Sequence, residues 1–89
     1  MKHSYLEVTY RKGQPLAAYL YLPRQPDDSS VRTVQMDGGL VVDFANDGRP
    51  IGIEIRSPSQ FKLAFLNQAL RQIGQPSLKA EDVAPLVAA

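Results

Sequence analysis

One short loop and the two runs flanking it constrain this chain more than anything else in it. Leu40-Val41-Val42-Asp43-Phe44 and Ile51-Gly52-Ile53-Glu54-Ile55 enclose Asn46-Asp47-Gly48-Arg49. Asn, Asp and Gly tolerate the backbone angles of a tight turn, so this composition favours a hairpin with a four-residue loop. Closing it pairs Leu40 with Ile55, Val42 with Ile53 and Phe44 with Ile51. All three apolar pairs then share one face, a consistency that a one-residue slip would destroy. Upstream, Asp37-Gly38-Gly39 supplies a second turn that pairs Met36 with Leu40 and Val34 with Val42 on the same side. Three strands therefore agree on one core face.

The rest of the first two-thirds also reads as strands. Tyr5 to Tyr10 alternates, with Leu6, Val8 and Tyr10 on one face. Arg11-Lys12-Gly13-Gln14-Pro15 is expected to turn and to interrupt the strand, and Leu16 to Leu22 forms the next strand. Pro23 to Ser30 carries two prolines with Asp and Ser, and is read as a mobile connection. Val31 to Met36 follows as a strand.

The period then changes. Ser57-Pro58-Ser59-Gln60 resembles a helix start, and Phe61, Phe65, Leu66, Ala69, Leu70 and Ile73 recur at helical spacing before Gly74. This predicts an amphipathic helix over 57–74, followed by a tail over 75–89 with a short helical piece that Pro85 would limit. The expected fold is α+β: one domain over 1–89, an antiparallel β-meander of about five strands over 5–56, and a C-terminal amphipathic helix packed on one face.

Composition narrows the function classes. The 89 residues include no cysteine, which excludes a disulfide framework and a thiolate metal site. Ten basic residues against nine acidic ones give a net charge of +1, too little to attract nucleic acid or an anionic membrane in general. No apolar run approaches the ~18 residues of a membrane span, and Met1-Lys2-His3-Ser4 leads into strand sequence without a signal-like core. The expectation is a cytoplasmic protein without nucleic-acid or membrane partners.

Candidate chemistry is sparse. Asp43, Asp47, Gly48 and Glu54 fall on positions one, five, six and twelve of a calcium-loop pattern, but Ala45 stands at position three and the flanks are strands rather than helices. His3, the only histidine, has no spaced partner. Gly38-Gly39 leads into a strand, so no helix N-terminus stands there to hold a phosphate. No catalytic, cofactor-binding or metal-binding residue is assigned, and no cofactor is expected. Asp43 and Glu54 are carboxylates on the sheet face away from the helix. They could do acid–base work only in a cleft that an open surface does not provide. The same face carries Tyr19, Tyr21, Val41 and Arg56, an aromatic patch with a polar rim of the kind found at protein interfaces. These four are the interface candidates.

Gly39-Leu40-Val41-Val42-Asp43-Phe44, Asn46-Asp47-Gly48-Arg49 and Ile51-Gly52-Ile53-Glu54-Ile55 together resemble a bacterial family known as domain of unknown function 2283. Val8-Thr9-Tyr10 and Ala17-Ala18-Tyr19-Leu20 are similar to its first hairpin, so the resemblance covers roughly residues 4 to 60. Where members often carry an Asp-rich turn, this chain has Arg11-Lys12-Gly13-Gln14-Pro15. The resemblance implies a β-meander, a bacterial cytoplasmic setting and no established activity; an antitoxin-like, partner-binding role is conceivable from it. The reading is a non-enzymatic interaction module, a homodimer or the companion of a small protein. The alternative is a small enzyme or small-molecule binder using Asp43 and Glu54 at a subunit interface.

Overall fold

The computed structural model describes residues 3–87. Five strands, β1 (Tyr5–Arg11), β2 (Gln14–Tyr21), β3 (Arg32–Met36), β4 (Leu40–Phe44) and β5 (Pro50–Ile55), form one antiparallel sheet in the order β1-β2-β5-β4-β3. A 3₁₀ turn (Pro58–Gln60), helix α1 (Leu63–Gln72), a second 3₁₀ turn (Ala80–Val83) and the short α2 (Ala84–Val87) follow. The fold is α+β, as the pattern predicts. Neighbouring strands in sequence form hairpins, except that residues 22–31 carry the chain from β2 past β5 and β4 to the far edge.

The central register is the expected one as far as Asp43. Leu40 pairs with Ile55, Val41 with Glu54, Val42 with Ile53 and Asp43 with Gly52. The register then shifts, and Phe44 faces Pro50 rather than Ile51. The cause is the turn. Ala45 N–H donates to Arg49 O (2.9 Å) and Gly48 N–H to Ala45 O (3.0 Å), with Gly48 at φ +89°. The loop therefore spans three residues, Asn46 to Gly48, and its left-handed glycine makes it one residue tighter than the sequence suggests. Ile51 is the surplus residue. Its carbonyl accepts from Leu22 N–H (3.2 Å) and from Arg24 Nη2 (3.1 Å) instead of from the ladder.

The first hairpin also differs from expectation. Lys12 (φ +52°) and Gly13 (φ +78°) close a two-residue turn, so the strands continue to Arg11 and from Gln14. Pro15 sits within β2 because β2 pairs with β5 only over Ala18–Tyr21, and the ribbon beyond has a free side that needs no donor. Leu16 is a bulge between the Thr9–Ala17 and Tyr10–Pro15 pairs.

One face of the sheet holds the core. Ala18, Leu20, Leu40, Val42, Ile53 and Ile55 pack under Leu66, Ala69 and Leu70 of α1. The helical region is divided, against the single helix over 57–74 that the periodicity predicts. Ser57 makes no side-chain cap, Pro58 is buried in the 3₁₀ turn, and Phe61 and Lys62 are extended. The break lets Phe61 pack against the core from outside α1. Gly74 (φ +74°) ends α1 as expected: Gln75 N–H reaches Leu70 O (2.8 Å) and Gly74 N–H reaches Arg71 O (3.2 Å), a Schellman pair.

The tail is part of the core layer. Val83 and Leu86 are buried in the same cluster. Asn67 clips the chain leading to them, donating from Nδ2 to Leu78 O (3.0 Å) and accepting from Leu78 N–H at Oδ1 (2.8 Å).

Candidate functional site

Alternation along β1, β2, β4 and β5 delivers Tyr5, Glu7, Tyr19, Tyr21, Val41, Asp43 and Glu54 to the face away from α1. Gly52 shapes this face. It is paired with both Tyr21 and Asp43, and a Cβ there would collide with the phenol of Tyr19. The missing side chain leaves a trough in which the Tyr19 ring lies across β5. Its hydroxyl then donates to Asp43 Oδ2 at 2.6 Å. Burial raises the Tyr19 pKa above its ordinary value, and the hydrogen bond to the Asp43 carboxylate raises it further. Asp43 Oδ1 accepts from Ser30 Oγ (3.2 Å).

The other aromatic groups build outward from Tyr19. Tyr21 meets it edge-on at 4.7 Å between ring centres, and Tyr5 stacks on Tyr21 at 4.5 Å. The Arg24 guanidinium lies 5.5 Å from the Tyr21 ring centre. Tyr21 donates to Glu7 Oε1 (3.1 Å), and this bond raises the Tyr21 pKa. Tyr5 is 50% exposed and forms the outer end of the stack.

The four interface candidates are therefore not equivalent. Tyr19 and Tyr21 are half-buried, Arg56 is exposed, and Val41 keeps only 6% of its surface between its register partners Gln35 and Glu54. Val41 supports the face rather than presenting itself on it. Of the two carboxylates, Asp43 is engaged by Tyr19 and Ser30, and Glu54 Oε1 accepts from Arg56 Nε at 3.3 Å. A groove of about 510 Å³ lies between Gly38-Gly39 and Ser57–Phe65, and one of about 220 Å³ between Asp27–Ser29 and Ala45–Arg49. Neither is lined by Asp43 or Glu54. Among the described residues no group of three or more His, Asp or Glu side chains is placed to hold a metal ion, and no helix is long and apolar enough to cross a membrane.

The connection read as mobile is tied down. Arg49 makes a two-pronged bridge to Asp28 (Nη1–Oδ2 3.0 Å, Nη2–Oδ1 2.8 Å) and a further bond from Nε to Asp47 Oδ2 (2.7 Å). Gln25 N–H also donates to Asp28 (2.9 Å), and the Asp28 side chain is only 10% exposed. Arg49 lowers the pKa of Asp28, with the Gln25 bond adding to the effect, and lowers that of Asp47 as well. The Asp-Gly-Arg turn thus holds the connection across a separation of 21 residues, which periodicity cannot reveal.

The site has a defined chemistry. Its acids already accept hydrogen bonds, and its accessible groups are aromatic rings with hydroxyl and guanidinium edges. Neither the curated proteins nor the solved structures contain a match to this chain. Residues 17–57, from within β2 to just past β5, match the family model described as Protein of unknown function (DUF2283).

Proposed function

We propose that the chain is a non-enzymatic protein-interaction module, acting as a homodimer or with a small protein partner through the aromatic side of the β1–β2 ribbon. The observation that carries this reading is the ordered stack of Tyr5 on Tyr21, braced by Tyr19, with Tyr5 half exposed. Rigid aromatic side chains contribute contact area with little ordering entropy left to lose, and tyrosine is enriched among the residues that dominate binding energy. Arg56 belongs to the polar rim in this reading. The enzyme alternative finds less support, because Asp43 and Glu54 are engaged by neighbours and line neither groove.

The test replaces Tyr5 and Tyr21 with Ala in the full chain. Tyr19 stays, because it packs over Gly52. Wild type and variant are compared by light scattering and by affinity capture from lysate of the source cells, after thermal melts confirm that both fold. Loss of the oligomer, or of a stoichiometric protein partner, is the expected result. Unchanged mass together with unchanged capture removes the aromatic face from consideration.

A further inference from the structure

β1 is an edge of the sheet, and its irregularity with β2 costs it nothing, because the extra residue, Leu16, belongs to β2. Its seven residues, Tyr5-Leu6-Glu7-Val8-Thr9-Tyr10-Arg11, contain no proline and no bulge of their own. Such an edge is a template for another strand. The ribbon also extends past the end of the β2–β5 pairing at Ala18. There the side continuous with the core face is uncovered, and Tyr10 and Leu16 are each 53% exposed.

The sequence of β1 favours one occupant. We propose that β1 pairs antiparallel with β1 of a second copy, about a two-fold axis at Thr9. This rests on the interaction reading above and names the partner. In that register each Glu7 faces the partner's Arg11, each Val8 faces the partner's Tyr10, and the two Thr9 residues meet. Opposite charges pair on one face and apolar groups pair on the other, in line with what stabilises cross-strand neighbours. Both Glu7 and Arg11 are exposed in the single chain. The other edge, β3, lacks this symmetry: self-pairing about Val34 would set Arg32 against Met36. Joined through β1, the two copies share one continuous sheet, with Val8 and Tyr10 of both chains filling the space between their helical layers.

Sedimentation equilibrium of the full chain tests this, with three variants: Glu7→Arg, Arg11→Glu, and both together. A wild-type dimer is expected. Each single reversal sets like charges opposite each other twice and weakens the dimer about tenfold. The double reversal restores the pairing and returns the affinity to near wild type, although Tyr21 has still lost its acceptor. Circular dichroism on all four proteins separates these effects from unfolding. A wild-type monomer at millimolar concentration overturns the proposal. So does a dimer indifferent to both single reversals. If that dimer responds instead to Tyr5→Ala/Tyr21→Ala, the interaction reading survives and only the β1 contact falls. Reversals that abolish capture of a different protein while leaving the mass unchanged overturn the second copy as the occupant.

Discussion

On the covered face of the sheet, Leu20, Val42, Ile53 and Ile55 keep at most 2% of their surface, and no polar or charged residue among those described is buried with them. On the opposite face the same strands contribute Tyr19, Tyr21, Asp43 and Glu54, each with a polar partner. The covered side needs only apolar groups of about the right volume at alternate positions, a requirement that many sequences satisfy. The open side depends on particular pairs: a glycine where a ring must lie, and a carboxylate where its hydroxyl ends. One face is specified by pattern and the other by individual contacts.

The contrast can be broken most forcefully from the covered side. Ile53→Ala is expected to cost about 2–5 kcal/mol in chemical denaturation, since it leaves a cavity in the central strand. A much smaller loss would mean that the core relaxes around the gap. Next comes Gly52→Ala, one residue away on the other face, expected to cost about 1–3 kcal/mol by displacing the Tyr19 ring. The decisive comparison is the same substitution made in a Tyr19→Ala background. There the penalty should largely vanish, and an additive result would show that the trough at Gly52 is not what matters.

Tyr19→Phe keeps the ring and removes the bond to Asp43, so a loss of about 1 kcal/mol is expected at neutral pH. Its pH dependence sharpens the point. The Tyr19 pKa is raised in the folded state. The stability it contributes is therefore fully present below the ordinary tyrosine pKa of about 10 and is lost as pH rises from there through the folded value. Denaturation series from pH 8 to pH 11, spanning the ordinary tyrosine pKa of about 10, should show the wild-type advantage shrinking. The smallest effect belongs to the part-buried Asp28–Arg49 bridge. The Asp28 pKa is lowered, so its contribution is present above the ordinary aspartate pKa of about 4 and fades as pH falls through the folded value. Asp28→Asn should flatten that acid limb and increase proteolytic nicking between Pro23 and Ser30. Unchanged nicking would mean that other contacts, such as Arg24 on Ile51 O, suffice to hold the connection.

Sequence alone makes the covered face legible because its information is local. Alternation in β4 and β5, with turn residues between them, sets Leu40 against Ile55 and Val42 against Ile53, and Gly74 marks the end of α1. The same alternation assigns Tyr19, Asp43 and Glu54 to the open face. It does not reveal that Tyr19 reaches Asp43 across Gly52, because those three residues meet only once β2 lies beside β5. The Asp28–Arg49 bridge and the Asn67–Leu78 clip are hidden for the same reason. The break at Phe61 and Lys62 is a case of tertiary packing overriding local preference: Ser57 and Pro58 look like a helix start, yet Pro58 is buried and Phe61 packs separately. The one-residue register shift at Phe44 lies beside a turn, where a three-residue and a four-residue loop draw on the same amino acids.

The strand order has a consequence for how the molecule comes into being. β5 lies between β2 and β4, yet it is the last of the five strands along the chain. Two hairpins, β1–β2 and β3–β4, emerge from a ribosome before the strand that joins them exists. Until residues 50–55 arrive, each displays an unsatisfied inner edge and half of an apolar surface. Sheet assembly then waits on a late, central insertion, an event of high sequence separation for the β2 contact and low separation for the β4 contact. β5 is thus expected to zip onto β4 first and to capture the β1–β2 ribbon afterwards. The interval between those two steps is when a nascent chain of this kind is most exposed to pairing with the wrong neighbour.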